Sequence, residues 1–272
     1  MDKKILWETK ISKAVSYNCL IRGYRHDEII ENLTYTEGMF LTLVGRLPKK
    51  NEVKMMDAIL NCILELEIQS VTVAVARHIA SGNPEVAPAV AGGLLPTGRR
   101  TTSPQDAADL INAAIKMMAE QGLSREETAR KFVDQYRKEK KRFPGFGHPS
   151  LRKGDYRAIS LRKVAEREGI VGEKTLIYEA IHDEFLRQTG KTDVPINVDG
   201  MMACLMMEIG IDPMIMTGVA MLSVMPGIIA HAVEEIKTNG PLRYPDPQTV
   251  QYTGEPERDL PPEVIRMPKE KR

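Results

Sequence analysis

Phe143-Pro144-Gly145-Phe146-Gly147-His148-Pro149 is followed at short intervals by Arg152, Lys153, Asp155 and Arg157. Two glycines let a backbone turn sharply and approach a ligand closely, leaving amides free to bind it. A histidine on such a loop can transfer protons or donate a hydrogen bond near neutral pH. The basic residues beyond it suit phosphates or carboxylates. The bland reading of the same residues is a Gly-Pro turn followed by a solvated charge run. A second cluster, Pro195-Ile196-Asn197-Val198-Asp199-Gly200, leads into the apolar run Met201 to Met207. An acid at the head of a buried helix is ordinarily an N-cap, so local grounds favour a capping role for Asp199 over a catalytic one. Neither cluster decides the function by itself.

The elements that must hold these residues read as helices nearly throughout. Val53, Met56, Leu60, Ile63 and Leu64 form an apolar stripe, with Glu52, Lys54, Asp57 and Asn61 opposite. Ser103-Pro104-Gln105-Asp106 predicts a helix start with a hydroxyl N-cap, and Leu110, Ile111, Ala114 and Met117 turn that helix inward. Ser124 and Glu127 have capping-box spacing, followed by a buried face of Phe132, Val133 and Tyr136, and Asp212-Pro213 opens a further helix. Strand signals are confined to Ile5 to Ile11 and Cys19 to Ile21, which suit a small hairpin. The fold class is therefore all-α in the main. Met214 to Val233 carries no formal charge, a length that could cross a bilayer. Pro226-Gly227 breaks it, His231 and Thr217 dilute it, and Glu234-Glu235 flank it where basic residues would be expected, so it reads as two buried helices and not as a membrane span. From Gly240 onward the chain is rich in Pro and charge without periodicity, as an arm or a disordered tail would be.

Composition narrows the function. The 272 residues carry 38 Lys and Arg against 37 Asp and Glu, a balance that argues against a nucleic-acid partner. Cys19, Cys62 and Cys204 are too widely spaced for a disulfide framework or zinc motif, and no metal site is expected. The opening MDKKILWETK lacks an apolar stretch of signal-peptide length, so a cytoplasmic enzyme is expected. Fifteen methionines and few aromatics suit helix–helix packing.

Taken in order, these segments resemble the citrate synthase family. GFGHP…DYR and NVDG look like its two small-domain motifs. Arg22-Gly23-Tyr24, Tyr35 through Pro48, Val75-Ala76-Arg77, Ala91-Gly92-Gly93-Leu94-Leu95 and Pro226 to His231, then Arg243, resemble further family segments across nearly the whole chain. The resemblance implies a two-domain helical fold. Residues 1–102 and 211–272 would form a large domain with dimerisation surface and C-terminal arm, and 103–210 a small domain. It implies a coenzyme A thioester and a 2-oxoacid as small-molecule substrates, no tightly bound cofactor, and a homodimer. His148 would hydrogen-bond the ketone or alcohol oxygen of the 2-oxoacid partner, and Asp199 would remove or return the proton next to the thioester. Arg157 would grip a substrate carboxylate, and Arg243 would reach the partner's cleft. Arg152 and Lys153 would meet coenzyme A phosphates, with adenine received by the Pro144-Gly145-Phe146-Gly147 backbone.

The chain departs from the family at three places. Gly98-Arg99-Arg100-Thr101-Thr102-Ser103 stands where synthases carry an enol-stabilising histidine. Leu66-Glu67-Ile68 replaces a second histidine segment, and Val224 stands for a helix arginine. Together with the GGLL and PGIIAH stretches, this looks like the compact citryl-CoA lyases and the lyase module of ATP citrate lyase. The expected reaction is cleavage of a citryl-CoA-type thioester to acetyl-CoA and oxaloacetate, with His148 accepting the alcohol proton and Thr101, Thr102 or a nearby amide holding the enolate. A related lyase or synthase using another acyl-CoA, and a catalytically inactive coenzyme A-binding subunit, are the alternatives. His78 reads as a packed or surface histidine, His231 as buried, and His26 and His182 as exposed or interface residues. Lys138 to Arg142 reads as a solvated run placed well for phosphate contact.

Overall fold

The computed structural model describes residues 6–238, 240 and 242–265. A small antiparallel sheet, β1 (Ser12–Val15), β2 (Asn18–Ile21) and β3 (Tyr24–Arg25), stands at the N-terminal end. Its first strand lies further along than the expected Ile5 to Ile11, of which Ile5 falls outside the described residues. The reason is the turn. Tyr17 takes a left-handed backbone (φ 60°), so only Ser16 and Tyr17 separate the strands and Val15 pairs with Asn18. A second two-residue turn, Arg22 (φ 51°) and Gly23 (φ 90°), has the backbone that suits the twist of a hairpin.

Among the described residues the elements that follow are helices: α1 (His26–Asn32), α2 (Tyr35–Val44), α3 (Lys50–Asn61), α4 (Val71–Gly82), α5 (Val86–Leu94), α6 (Pro104–Gln121), α7 (Arg125–Lys138), α8 (Tyr156–Arg167), α9 (Glu173–Thr189), α10 (Val198–Glu208) and α11 (Pro213–Thr238). The all-α expectation holds. The capping box predicted at Ser124 and Glu127 is formed, and Phe132 and Val133 are buried beneath α7. At α3 the buried side is Met55, Met56 and Ile59, whereas Leu64 is exposed. Glu52, expected on the solvent face, is buried. It closes a capping box at Lys49 and takes a two-pronged ion pair from Arg46 at 2.7 and 2.9 Å.

Pro226 does not divide α11 into two helices; the element runs unbroken for 26 residues. Proline removes one intrahelical bond, and Gly227 turns its own N–H outward to the Leu64 carbonyl at 3.0 Å. A Cβ at Gly227 would stand 2.5 Å from that oxygen, so the close approach depends on glycine. α11 is long and apolar enough to cross a bilayer by length and composition alone. Here it packs against α3, α4, α5 and α6, with Val219, Ala220, Val224 and Ile228 buried.

α10 is the second axis, packed among α6, α8 and α9, and every residue from Val198 to Met207 except Asp199 is fully or nearly inaccessible. Asp199, at the helix mouth, is mostly covered and keeps a small exposed fraction. α6 touches both α10 and α11. One continuous apolar core runs from Phe40 and Met56 through Ile111 and Tyr178 to Met206 and Val224, so the Met201 to Met207 run is core. Residues 242–265 form an exposed arm with two short 3-10 turns, Pro247–Thr249 and Pro262–Val264.

Candidate active site

The two clusters singled out in the sequence lie side by side. Phe146 and Ile196 form an antiparallel bridge. The Gly147 N–H donates to the Pro195 carbonyl at 2.7 Å, and the Asn197 N–H donates to the Gly145 carbonyl at 2.8 Å. Gly145 (φ 82°) and Gly147 (φ 84°) are both left-handed. A Cβ on Gly145 would fall 2.0 Å from the Tyr178 hydroxyl and 2.6 Å from Gly200 Cα, so loop and helix touch backbone to backbone. Below the loop, the Tyr178 hydroxyl donates to the Pro144 carbonyl at 2.8 Å. His182 sets its ring edge on Phe146 and makes a 2.7 Å bond to the Val194 carbonyl. The expectation of an exposed His182 is thereby corrected: it supports the loop.

Asp199 is not the cap of α10. Asn197 is, accepting the Gly200 N–H at 3.1 Å and donating to the Gly147 carbonyl at 2.9 Å. That leaves the Asp199 carboxyl without a capping role. Burial raises its pKa to about 6, opposed by a 3.3 Å hydrogen bond from the Ser103 N–H and by the nearby Arg157 charge. The predicted hydroxyl cap at Ser103 is absent, because that residue turns its backbone N–H to Asp199 and its side chain makes no cap bond.

His148 receives the Ser150 and Leu151 backbone N–H groups on Nδ1, at 3.3 and 3.1 Å. An amide only donates, so Nδ1 is unprotonated and the neutral ring carries its proton on Nε2. Burial and then the Arg157 charge lower its pKa, favouring that neutral form. His148 therefore presents a donor. The expected role as acceptor of the alcohol proton does not suit this tautomer, since the one unprotonated ring nitrogen already accepts these N–H groups.

Asp155 ties the parts together. It is almost wholly buried, caps α8 through the Arg157 N–H, and grips the Arg157 guanidinium with both oxygens at 2.8 Å. Its Oδ2 also takes the Val198 N–H at 2.8 Å, next to Asp199. Despite burial its pKa is lowered, by these Arg157 and backbone bonds. In the sequence Asp155 stands in the charged run and in the DYR segment that carries the resemblance, but with no role of its own, because its partner, the Val198 N–H, lies 43 residues away.

A cleft of about 700 Å³ opens over the loop, lined by Asp199, Ser103 and residues 143–147. Its cations are Arg99, Arg100, Arg137, Lys141, Arg142 and Lys191, against Asp106 and Asp199. Of the 138–142 run, Lys141 and Arg142 line it. Arg152 and Lys153, expected at the phosphates, do not line the cleft; Arg152 lies 3.9 Å from Asp193 at the surface. Thr101 and Thr102 are also absent from its lining. Arg157 lines a separate hollow of about 390 Å³ between α3 and α8, with Asn61, Cys62 and Ser160. Burial pushes the Cys62 thiol up to about 12, which makes it a poor nucleophile. Arg243 stands away from its own chain's cleft, where Glu235 holds its guanidinium at 2.6 and 2.8 Å. No group of three or more His, Cys, Asp or Glu suited to a metal ion occurs among the described residues.

Residues 9–245 match the family described as "Citrate synthase, C-terminal domain". Citryl-CoA lyase from Hydrogenobacter thermophilus superposes with a TM-score of 0.86 at 32% identity, over 96% of this chain and 99% of that one. ATP citrate lyase from Methanothrix soehngenii, solved with citrate and coenzyme A, gives 0.79 at 19% identity, over 94% of this chain and 43% of that one, which shows a shared fold. Citrate synthase 2 of Bacillus subtilis (strain 168) is 30% identical over 141 residues, 52% of this chain but only 36% of that relative. The chain belongs to the citrate synthase family.

Proposed function

We propose that the chain is a citryl-CoA lyase-like enzyme that cleaves a citryl-CoA-type thioester to acetyl-CoA and oxaloacetate. The observation that carries this reading is a buried carboxyl with pKa about 6, Asp199, set in a cation-lined cleft beside a loop that presents the His148 donor. Likeness along the whole length of a citryl-CoA lyase supports it. Carbon–carbon cleavage next to a thioester needs an acid for the departing carbon, a donor for the second oxygen and anchors for the anions.

In the forward step the substrate hydroxyl becomes a ketone and gives its proton to water. The bond between the carbinol carbon and the methylene breaks, and its electron pair passes into the thioester enolate. Protonated Asp199 delivers a proton to that carbon, releasing acetyl-CoA. His148 Nε2–H holds the oxygen that becomes the ketone, and Arg157, aligned by Asp155, binds a carboxylate of the oxoacid part. Arg137, Lys141, Arg142 and Lys191 of the cleft take the phosphates of coenzyme A, with adenine over the 144–147 backbone. The thioester is a substrate, and no tightly bound cofactor is part of this scheme. Movement of a small domain, residues 103–210, against the remainder would exclude water as the substrate binds. The working unit is a soluble, cytoplasmic homodimer. The exposed arm side chains Tyr244, Val250, Tyr252 and Leu260 favour a subunit partner, toward whose cleft Arg243 would point.

A coupled assay following oxaloacetate from citryl-CoA tests the reaction, with Asp199→Asn beside the unaltered protein. Release that the substitution abolishes is expected. Coenzyme A binding without release would favour another acyl-CoA, or an inactive binding subunit if no thioester reacts.

A further inference from the structure

Cleavage leaves negative charge on the thioester oxygen, one bond removed from the carbon that Asp199 protonates. His148 is committed to the other oxygen, so a second donor must stand on the Asp199 side of the cleft. The loop that reaches Asp199 there runs from Gly98 to Ser103. Gly98 and Thr101 exchange both backbone hydrogen bonds, at 2.8 and 2.7 Å, which places Arg99 and Arg100 at the tip of a two-residue turn. Thr102 (φ 59°) then bends the chain so that the Ser103 N–H meets Asp199 Oδ2. The Thr101 N–H is consumed by Gly98, and neither threonine lines the cleft. Arg99 and Arg100 both do. Among the described residues neither guanidinium has an ion-pair or hydrogen-bond partner. Three residues of chain span at most roughly 11 Å, a distance that an extended arginine side chain largely closes.

We propose that the Arg99–Arg100 turn supplies the permanent cation that holds the enolate oxygen beside Asp199. This rests on the thioester chemistry proposed above. It gives the site an oxyanion stabiliser whose charge does not vary across the working pH range. The other cations, Arg137, Lys141, Arg142 and Lys191, are left for the phosphates.

Hydrogen exchange at the methyl group of acetyl-CoA in D2O isolates this step. The Asp199 carboxylate removes a methyl proton, the electron pair moves to the oxygen, and return of a deuteron labels the carbon. Arg99→Met/Arg100→Met is expected to slow exchange by about 100- to 1000-fold, with the Kd of coenzyme A changed by less than about 3-fold. Arg99→Lys/Arg100→Lys should recover part of the rate, and the single substitutions assign the larger share. Unchanged exchange in the double Met variant would overturn the proposal. So would a Kd that rises in step with the rate loss and no longer distinguishes coenzyme A from dephospho-coenzyme A, which would make the turn a phosphate clamp. Exchange that is lost in Asp199→Asn but indifferent to the arginines removes this proposal alone. Absence of exchange in the unaltered protein removes the thioester reading with it.

Discussion

Asp199 concentrates the cost and the use of the site in one carboxyl. Raising it from 3.8 to about 6 by burial withdraws about 3 kcal/mol of folding stability at neutral pH. The folded state holds the proton more tightly, so this deficit is absent below pH 3.8, grows through the interval up to 6 and is complete above it. Asp199→Asn should therefore raise the melting temperature at pH 8 and leave it unchanged near pH 3.5, a comparison calorimetry makes directly. Activity should vary with the same group. Cleavage uses the protonated acid and should fall as pH rises through about 6, whereas condensation uses the carboxylate and should rise. Rate profiles measured in both directions that bend the same way would remove Asp199 from the proton transfer.

Among the elements, the Gly-rich loop and α10 are held as a pair, and their contact tolerates no side chain. Gly145→Ala places a methyl 2.0 Å from the Tyr178 hydroxyl at a backbone φ of 82°. A loss of about 2 to 4 kcal/mol in denaturant unfolding is expected, with activity lost in the folded fraction. Asp155 joins α8 to α10 through Arg157 and the Val198 N–H. Asp155→Asn keeps one acceptor but gives up the charged two-pronged grip on Arg157. The expected outcome is a KM for the thioester raised about 10-fold, together with a displaced pH profile. Arg157→Lys should not restore it, because a single ammonium cannot reproduce the fork. A Asp155→Asn protein with unaltered KM and pH profile would reduce Asp155 to a helix cap.

Across the whole molecule the net charge is only +1, yet the cleft gathers six cations against two acids. Such a local field attracts a polyanion and weakens with salt. Lys141→Met/Arg142→Met should raise the Kd of coenzyme A by about 10-fold at low ionic strength, or about 1.4 kcal/mol, and less in concentrated salt. Titration calorimetry at two salt concentrations checks this. An effect equal at both would mean that the pair acts by shape and not by charge.

Helix content, the caps at Ser124 and Asp212 and the apolar length of α10 and α11 were legible because they depend on neighbours three or four residues apart. The GFGHP and NVDG clusters were legible for the same reason: glycine, histidine and acid types with fixed spacing. The continuity of α11 through Pro226 was not, since the compensating acceptor is the Leu64 carbonyl, more than 160 positions away in the chain. Nor were the burial of Glu52, the support given by His182, or the presence of Lys141 and Arg142, and not Arg152, along the cleft. The sequence by itself determined which groups are able to move a proton and bind an anion. Tertiary structure alone decided that Asn197 caps α10 in place of Asp199, that Nδ1 of His148 is occupied, and that Arg99 and Arg100 line the same cleft as the acid. Protonation, tautomer and access to a cleft are set by burial and by hydrogen bonds between distant segments, which local spacing does not encode.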